Sequence, residues 1–331
     1  MNDIALPSPE PLDTSTMAGK TFGFVAMGTN DIFPGIADGA TEALESVGAE
    51  LKYVESESSP DSAAQALRTM VNQGVSAILM GAYESDLVKS AAIEAEQAGI
   101  PLISTLTGST EPVLANGQVG TVNSSAKDTG KAQADYALAK TNCELNGIMV
   151  FTSVGVTTAL HNDGFKEEVA ELCPDCKVES IDVDNSNPSS VVGQISTAIQ
   201  RDPSINALMA SWDGWVPFEV QAAKAVGYDL VKENPSDQEL MILGAVGSDS
   251  TVEFAMQNGV AMSTLPPPSE LVGWYSADAL MRAVSGATPP ITYAFSEKIV
   301  DDSNWGSAPL DPSVYPTLPD YQEVFKTAWG Q

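Results

Sequence analysis

Short apolar runs alternate along the chain with longer stretches in which apolar residues recur at helical spacing. The first run, TFGFVAM at 21–27, is typical of a buried strand, and a helical pattern over 36–47 follows it. The runs ELKYVES, SAILMG and PLIST come next, each separated from the last by a helical stretch. This alternation predicts right-handed βαβ units and a parallel sheet.

The second half of the chain repeats this organisation. After residues 118–123, the runs GIMVFTS, VESIDVD, ALMAS and LMILGAVG again alternate with helical stretches. Residues 58–80 match residues 186–210 with a two-residue insertion, and Pro60 and Pro188 each suit the first position of a helix. We therefore predict an α/β protein of two doubly wound parallel-sheet lobes.

In doubly wound sheets, ligands bind beyond the carboxyl ends of the strands. With two lobes, those ends can face each other across a cleft. His161, the only histidine, lies in or beside the strand-end segment VGVTTALHNDG. We therefore expect His161 to face this cleft from a helix start, and to be neutral at pH 7 because a helix N-terminus disfavours the protonated ring.

Composition removes several functional classes. The chain of 331 residues carries 44 acidic and 15 basic residues, a net charge of −29, which argues against binding to nucleic acid or anionic membranes. No apolar run is long enough to predict a transmembrane helix. Residues 1–20 contain three prolines, no basic start and no apolar core, so we expect a disordered leader rather than a signal peptide. No cofactor or metal is expected.

The three cysteines predict one disulfide. Cys173 and Cys176 end a helix just before a strand, and Cys143 ends another helix in the same way. A redox CxxC pair would instead open a helix, and zinc would need further ligands. We expect a bond from Cys143 to Cys173 or Cys176, which implies an oxidising location.

Several segments, taken in order, resemble the type I periplasmic binding proteins, in the ribose-binding-like branch that serves ABC importers of sugars. They are FGFVAMGTNDIFPGIADGATEALESVGAEL, VNQGVSAILMGAYESDLVKSAAIEAEQAGIPLIS, DGF, ALMASWDG and ILGAVGSDSTVEFAMQNGVAMSTLPPPSELVG. The resemblance covers about residues 20–300. It implies a monomeric extracytoplasmic protein, periplasmic or lipid-anchored, that closes on a small ligand and delivers it to a membrane permease.

The resemblance also implies three chain crossings between the lobes, near Asn123, Pro267 and Ala294. The N-terminal lobe would then comprise residues 21–123 and 267–294, and the C-terminal lobe residues 124–266 and 295–331.

Ligand contacts can be carried over by position. Asn30, Asp31 and Phe33 occupy the first loop, and Tyr83 follows the third strand. Leu106 and Thr107 replace an Asp–Arg pair, and His161 replaces a ligand-binding Arg. The usual Asn–Asp becomes Trp212–Asp213 with Trp215 nearby, the Asp of a GFD motif becomes Val246, and a hinge Gln becomes Pro267. Compared with the family's sugar binders, most bidentate arginine and carboxylate groups are replaced, and indole side chains are added. We therefore expect a neutral, partly apolar ligand: a sugar, a polyol or a more aromatic compound.

Structural roles remain open for these residues. Trp212, Trp215 and Phe33 could pack in a core, Tyr83 could lie on the rim, and His161 could cap or pack locally. Asp31 and Asp213 could be helix caps.

Two other functional classes also remain open. One is a carboxylate-based enzyme acting on a glycoside through Asp31 and Asp213. The other is the effector-sensing domain of a regulator, although no helix-turn-helix precedes residue 20. We expect a binding protein rather than an enzyme.

Overall fold

A computed structural model of the chain describes residues 6–28, 32–153, 155–184, 187, 190–306 and 320–331. Apart from these gaps, the N-terminal lobe comprises residues 6–124, 267–295 and 320–331, and the C-terminal lobe comprises residues 125–266 and 296–306. The boundaries at 124/125, 266/267 and 295/296 fall next to Asn123, Pro267 and Ala294. Asn30 and Asp31 lie outside the described residues.

The N-terminal lobe contains a six-stranded parallel sheet in the order β12-β5-β4-β3-β1-β2. Its strands are β1 (Thr21–Met27), β2 (Glu50–Ser56), β3 (Ile78–Gly81), β4 (Leu102–Thr105), β5 (Gln118–Ser124) and β12 (Ile291–Phe295). Its helices are α1 (Ile32–Ser46), α2 (Pro60–Asn72), α3 (Lys89–Gln97), α9 (Ser269–Val284) and α10 (Tyr321–Ala328). All residues of β3 and β4 are buried, which explains their continuous apolar runs.

The C-terminal lobe contains a five-stranded parallel sheet in the order β7-β6-β8-β10-β9 and an antiparallel pair, β11 with β13. Its strands are β6 (Asn146–Phe151), β7 (Lys177–Asp182), β8 (Ala207–Ala210), β9 (Asp229–Val231), β10 (Glu239–Leu243), β11 (Ser263–Leu265) and β13 (Lys298–Val300). Its helices are α4 (Ala126–Lys140), α5 (Val156–Leu172), α6 (Ser190–Arg201), α7 (Val216–Ala225) and α8 (Asp249–Gln257). The predicted α/β class with parallel sheets is confirmed.

Glycines let one helix pair in each lobe approach closely. A Cβ atom on Gly39 of α1 would lie 2.0 Å from the carbonyl oxygen of Glu270 in α9. A Cβ atom on Gly130 of α4 would lie 2.1 Å from the carbonyl oxygen of His161 in α5. Any larger residue at either glycine would therefore force the backbones of the pair apart.

The N-terminal segment is packed rather than disordered. Met17 is fully buried, the Tyr275 hydroxyl donates to the carbonyl oxygen of Pro7, and the Leu12 amide donates to that of Ala328 at 2.9 Å. The prediction of a disordered leader is therefore wrong for residues 6–20. Tertiary contacts outweigh the proline-rich composition because α9 and α10 offer this segment an apolar surface and hydrogen-bond partners.

The C-terminal helix α10 belongs to the N-terminal lobe. Trp329, directly after α10, stacks on Trp274 of α9 with ring centroids 5.4 Å apart and planes 6° apart, and Phe325 is buried beside them. Assigning all of residues 295–331 to the C-terminal lobe was therefore wrong. Burial of these aromatic rings against α9 determines which lobe α10 packs on.

The cysteines pair differently from the prediction. Cys173 and Cys176 are bonded to each other, and Cys143 is an exposed free thiol. A turn closed by a 2.9 Å hydrogen bond from the Cys176 amide to the Cys173 carbonyl oxygen brings their Cα atoms to 5.4 Å. This local turn makes the short pairing geometrically easy. Cys143 is nevertheless a neighbour, since its carbonyl oxygen lies 3.3 Å from both sulfur atoms.

Among the described helices, none is long and apolar enough to span a membrane.

Candidate functional site

The loop after β4 in the N-terminal lobe is held by a buried hydrogen-bond network. The Thr107 amide donates to the Asn123 side-chain oxygen at 2.8 Å, and the Thr107 hydroxyl donates to Glu84 at 2.7 Å. The Asn123 amide group also donates to the carbonyl oxygen of Ser109 at 2.9 Å. Leu106 adopts a left-handed φ of 56° and is half-buried. Asn123, predicted only as a crossing point, therefore also fastens a loop that carries two candidate ligand contacts.

Three predicted contacts in the N-terminal lobe are buried. Phe33 and Tyr83 are each 2% exposed, and Pro267 is also buried. Phe33 packs edge-to-face on Phe24 at 6.3 Å. Tyr83 lies in the cluster that includes Leu67, Ala91 and Leu102. Both rings are buried against their own lobe, and the Tyr83 hydroxyl has no hydrogen-bond partner among the described residues, so ligand contact by Phe33 and Tyr83 stays a prediction.

The two indoles that follow β8 have opposite environments. Trp212 is 43% exposed, whereas Trp215 is 3% exposed, and their rings meet at right angles with centroids 5.6 Å apart. Trp215 also packs near Phe218 at 6.3 Å. Trp212 is thus presented to solvent, while Trp215 is buried with its indole nitrogen unpartnered among the described residues, and ligand contact by either indole stays a prediction.

Asp213 is buried beneath this loop rather than exposed on it. Its side chain is 1% exposed, and its Oδ2 accepts a hydrogen bond from the Ser263 hydroxyl at 2.5 Å. Cβ atoms on Gly244 and Gly247 would lie 2.0 and 2.4 Å from its two oxygens, so only glycines fit here. Burial raises the pKa of the Asp213 carboxyl to about 7. The Asp213 carboxyl thus holds β11 through Ser263, and ligand contact by Asp213 stays a prediction.

Val246, in the loop after β10, is partly exposed and adopts a left-handed φ of 50°. Its amide donates to the Thr264 hydroxyl at 2.8 Å, and that hydroxyl donates to Glu297 at 2.5 Å. Burial raises the pKa of the Glu297 carboxyl to about 7. A side-chain relay through β11 therefore fixes the Val246 loop.

His161 lies in the second turn of α5 and is fully buried. Its Nε2 is 2.9 Å from the side-chain oxygen of Gln133, whose Nε2 donates to the carbonyl oxygens of Ala210 and Gly244 at 3.0 and 2.9 Å. His161 therefore lies beyond the start of the helix where we expected it, and its contact with a ligand stays a prediction. Burial lowers its pKa to about 3, so the ring is neutral at pH 7 for a reason other than the helix dipole.

The structure also identifies residues that sequence reasoning missed. Gln133 ties two strand ends to α5, Glu219 of α7 is a fully buried carboxyl, and Thr264 and Glu297 fix the Val246 loop. A helical Gln and a helical Glu are ordinary in sequence, so these residues carry no signal that periodicity alone would reveal. Among the described residues, no cluster of His, Cys, Asp and Glu could hold a metal ion.

Two lobes of doubly wound parallel sheet, joined by repeated chain crossings, define a two-lobed α/β binding-protein class. The chain belongs to the periplasmic binding protein family, because the model of the periplasmic binding protein domain matches residues 22–288. The ribose import binding protein of Escherichia coli (strain K12) is 23% identical over 296 residues, covering 87% of this chain and 93% of that protein.

Solved structures share the fold at low identity. An ABC transporter solute binding protein from Burkholderia graminis, in complex with D-arabinose, matches with a TM-score of 0.74 and 16% identity, covering 88% of this chain and 98% of that one. One from Agrobacterium vitis, bound with α-D-tagatopyranose, has a TM-score of 0.73 and 17% identity, with coverages of 89% and 97%. A carbohydrate transporter from Acidothermus cellulolyticus, in complex with myo-inositol, has a TM-score of 0.67 and 18% identity, with coverages of 94% and 98%.

Proposed function

We propose that this protein is the extracytoplasmic solute-binding protein of an ABC importer and that it captures a small neutral solute at its strand-end loops. Membership of the periplasmic binding protein family supports the binding role. The relatives named above bind D-arabinose, tagatose or myo-inositol, all uncharged polyhydroxy compounds.

The arginine side chains support a neutral rather than an anionic solute. The chain has three arginines, and each is paired within its own lobe: Arg68 with Glu94 at 2.9 Å, Arg201 with Glu179 at 2.5 Å, and Arg282 with Asp278. A ligand carboxylate or phosphate would therefore lack the bidentate partner that such groups favour.

The exposed Trp212 carries the proposal for the solute's shape. Trp212 follows β8 and Val156 begins the helix after β6, and these strands are hydrogen-bonded neighbours. The two side chains are 43% and 56% exposed, so the same edge of the sheet presents two apolar groups. An indole face stacks well on the C–H surface of a sugar or polyol. We infer a solute with one apolar face and hydroxyl groups elsewhere.

This proposal leaves no role for catalysis or a cofactor. A carboxylate-based glycosidase would need two accessible acids, whereas Asp213 is 1% exposed and held by Ser263. The partner we propose is the membrane permease of the importer, and the binding protein acts as a monomer.

A thermal-shift screen followed by calorimetry tests the function. The panel would contain D-ribose, D-arabinose, D-tagatose, D-allose, allitol and myo-inositol, together with phosphorylated and carboxylated sugars as charged controls. We expect saturable binding of a neutral compound and its recovery unchanged after incubation. Tight binding of only anionic compounds, or conversion of a bound compound to products, would overturn the proposal.

A further inference from the structure

Three carboxyl groups of the C-terminal lobe interact electrostatically, and we call Asp213, Glu219 and Glu297 the acid cluster; Asp213 and Glu219 are buried, whereas Glu297 is partly exposed. Asp213 and Glu219 are 1% and 0% exposed, and electrostatic repulsion couples Asp213 to each of the other two. Within the described residues, both carboxyl oxygens of Glu219 have no hydrogen-bond partner, whereas burial raises the pKa of Asp213 against the Ala245 amide and the Thr251 hydroxyl, which lower it. Buried carboxylates without partners or counter-charges are costly, and protonation removes that cost.

Positive charges on the surrounding elements are engaged elsewhere or lie at the surface. Helix α7 packs on α6, β9 and β10, and α8 packs on β11. Arg201 of α6 is paired with Glu179, Lys224 of α7 is exposed, and Lys298 of β13 is partly exposed. The other charged groups on these elements are acidic: Asp229 of β9, Glu239 of β10, and Asp249 and Glu253 of α8. Among the described side chains, the electrostatic neighbours that raise the pKa values of Asp213 and Glu219 are other carboxyl groups.

Hydrogen bonds connect the acid cluster to the Trp212 loop and the Val246 loop, which present candidate solute contacts in this lobe. Asp213 directly follows the exposed Trp212 and is pinned to Ser263 of β11. Glu297 holds Thr264, the next residue of β11, and Thr264 holds the amide of Val246. The short pair of β11 and β13 thus connects the Trp212 loop and the Val246 loop to the same group of acids.

We propose that the acid cluster binds protons at neutral pH and that Asp213 and Glu297, through Ser263 and Thr264, are positioning residues for the Trp212 and Val246 loops. With protons bound, the carboxyl groups of Asp213 and Glu297 keep their hydrogen bonds to the hydroxyls of Ser263 and Thr264. When the protons leave, like charges meet in a region of low dielectric, and the two loops loosen. Resting on the proposed function, this inference makes solute capture proton-linked, with tighter binding on the acidic side of neutrality.

The first test uses the ligand-free protein, so it is independent of the proposed function. Carboxyl carbon NMR of protein labelled at Asp and Glu would follow each group from pH 4 to pH 9, with assignments from Asp213→Asn, Glu219→Gln and Glu297→Gln. We expect Asp213 and Glu297 to titrate near neutrality and Glu219 to stay protonated through the physiological range. Ordinary titration of all three near pH 4 in the wild-type protein would overturn the proposal, even if the variants fold poorly.

A second readout separates positioning from a merely structural role. The hydrogen-exchange protection factor of the Val246 amide and the intrinsic tryptophan fluorescence would be measured at pH 6 and pH 8. In the wild type, we expect protection of Val246 to fall by about threefold or more at pH 8. This dependence should flatten in Glu297→Gln. Asp237→Asn removes one exposed acid from the same lobe and serves as the matched control, which should behave as wild type.

Two results would contradict positioning. One is an equal loss of Val246 protection in Glu297→Gln and wild type, and the other is the same change in Asp237→Asn. If the carboxyls titrate as expected but no neutral solute binds, the proton cluster stands and the proposed function fails.

Discussion

The polar groups at the strand ends of the two lobes are satisfied in different ways. In the N-terminal lobe, Glu84, Thr107, Gln118 and Asn123 bond to one another or to neighbouring groups, so the network is closed by protein alone. In the C-terminal lobe, both carboxyl oxygens of Glu219 lack partners within the described part of the chain. The Tyr83 hydroxyl, in the N-terminal lobe but outside that network, also lacks a partner among the described residues. One edge is fixed by complementary donors and acceptors, whereas the other depends on protonation.

Breaking the closed network should have the largest effect on stability. Asn123→Ala removes hydrogen bonds to Thr107 and Ser109 and leaves buried partners unsatisfied. We expect the free energy of unfolding to fall by about 3 kcal/mol, since each unsatisfied buried group costs about 1–3 kcal/mol. Urea unfolding of the variant and of Asn72→Ala, an exposed change on α2 of the same lobe, measures this difference. Equal stability of the two variants would contradict the network's role.

Raising the pH should weaken the C-terminal lobe. The carboxyl pKa values of Asp213 and Glu297 are raised to about 7 in the folded state, so the folded protein binds protons that the unfolded chain releases above about pH 4. This contribution is therefore complete below pH 4 and is lost as the pH rises through 7. We expect the Asp213 carboxyl alone to lower the free energy of unfolding by about 2 kcal/mol between pH 5 and pH 8, with most of the change below pH 7.

The overall charge of −29 favours the same direction, so the variants decide the cause of the pH dependence. Asp213→Asn should show a smaller decline between pH 5 and pH 8 than wild type, as followed by chemical unfolding. Asp237→Asn should show the full decline. If both variants keep the wild-type slope, the buried acids are not responsible.

The His161 environment belongs to the C-terminal edge but resembles the closed network. Because His161 is buried against Gln133, we expect His161→Ala to lower the free energy of unfolding by about 2 kcal/mol. Solute affinity should stay within about twofold of wild type, because the ring does not reach the surface. Melting and calorimetry on the same samples separate the two effects. A stable variant with weak binding would restore His161 as a ligand contact.

The smallest effect on stability is expected for Glu219, and its sign shows whether the buried carboxyl is ionised or protonated. Glu219→Gln replaces a buried acid by a neutral group of similar shape, so at pH 8 it should leave stability unchanged or raise it by up to about 1 kcal/mol. Glu171→Gln, an exposed change on α5, should have almost no effect. Strong destabilisation by Glu219→Gln would show that the ionised carboxylate has a partner that stabilises it.

The sequence predicts the repeated α/β architecture well because it depends on long apolar runs and helical spacing. The site is less predictable. Trp212 and Trp215 stand three positions apart in one loop, and only the packing of Phe218 and the neighbouring strand ends determines which indole is buried. His161 falls in a helix with weak contrast between its faces, so its burial depends on the close approach of α4 at Gly130.

The predictions for the chain termini and for the disulfide were wrong for a related reason. The docking of Trp329 onto Trp274 joins positions far apart in sequence, which no local pattern reveals. The Cys173–Cys176 pairing depends on a turn whose geometry is local but is not visible in the helix-and-strand pattern.

The affinity of Trp212→Ala for the neutral solute identified by the screen tests whether the exposed indole binds that solute. Trp212 is the exposed indole at the C-terminal lobe's strand ends, so its loss should weaken binding by at least about tenfold, while the melting temperature changes little. Trp305→Ala, which changes a partly exposed indole elsewhere in the same lobe, is the matched control and should bind as wild type. Unchanged affinity in Trp212→Ala would contradict the account.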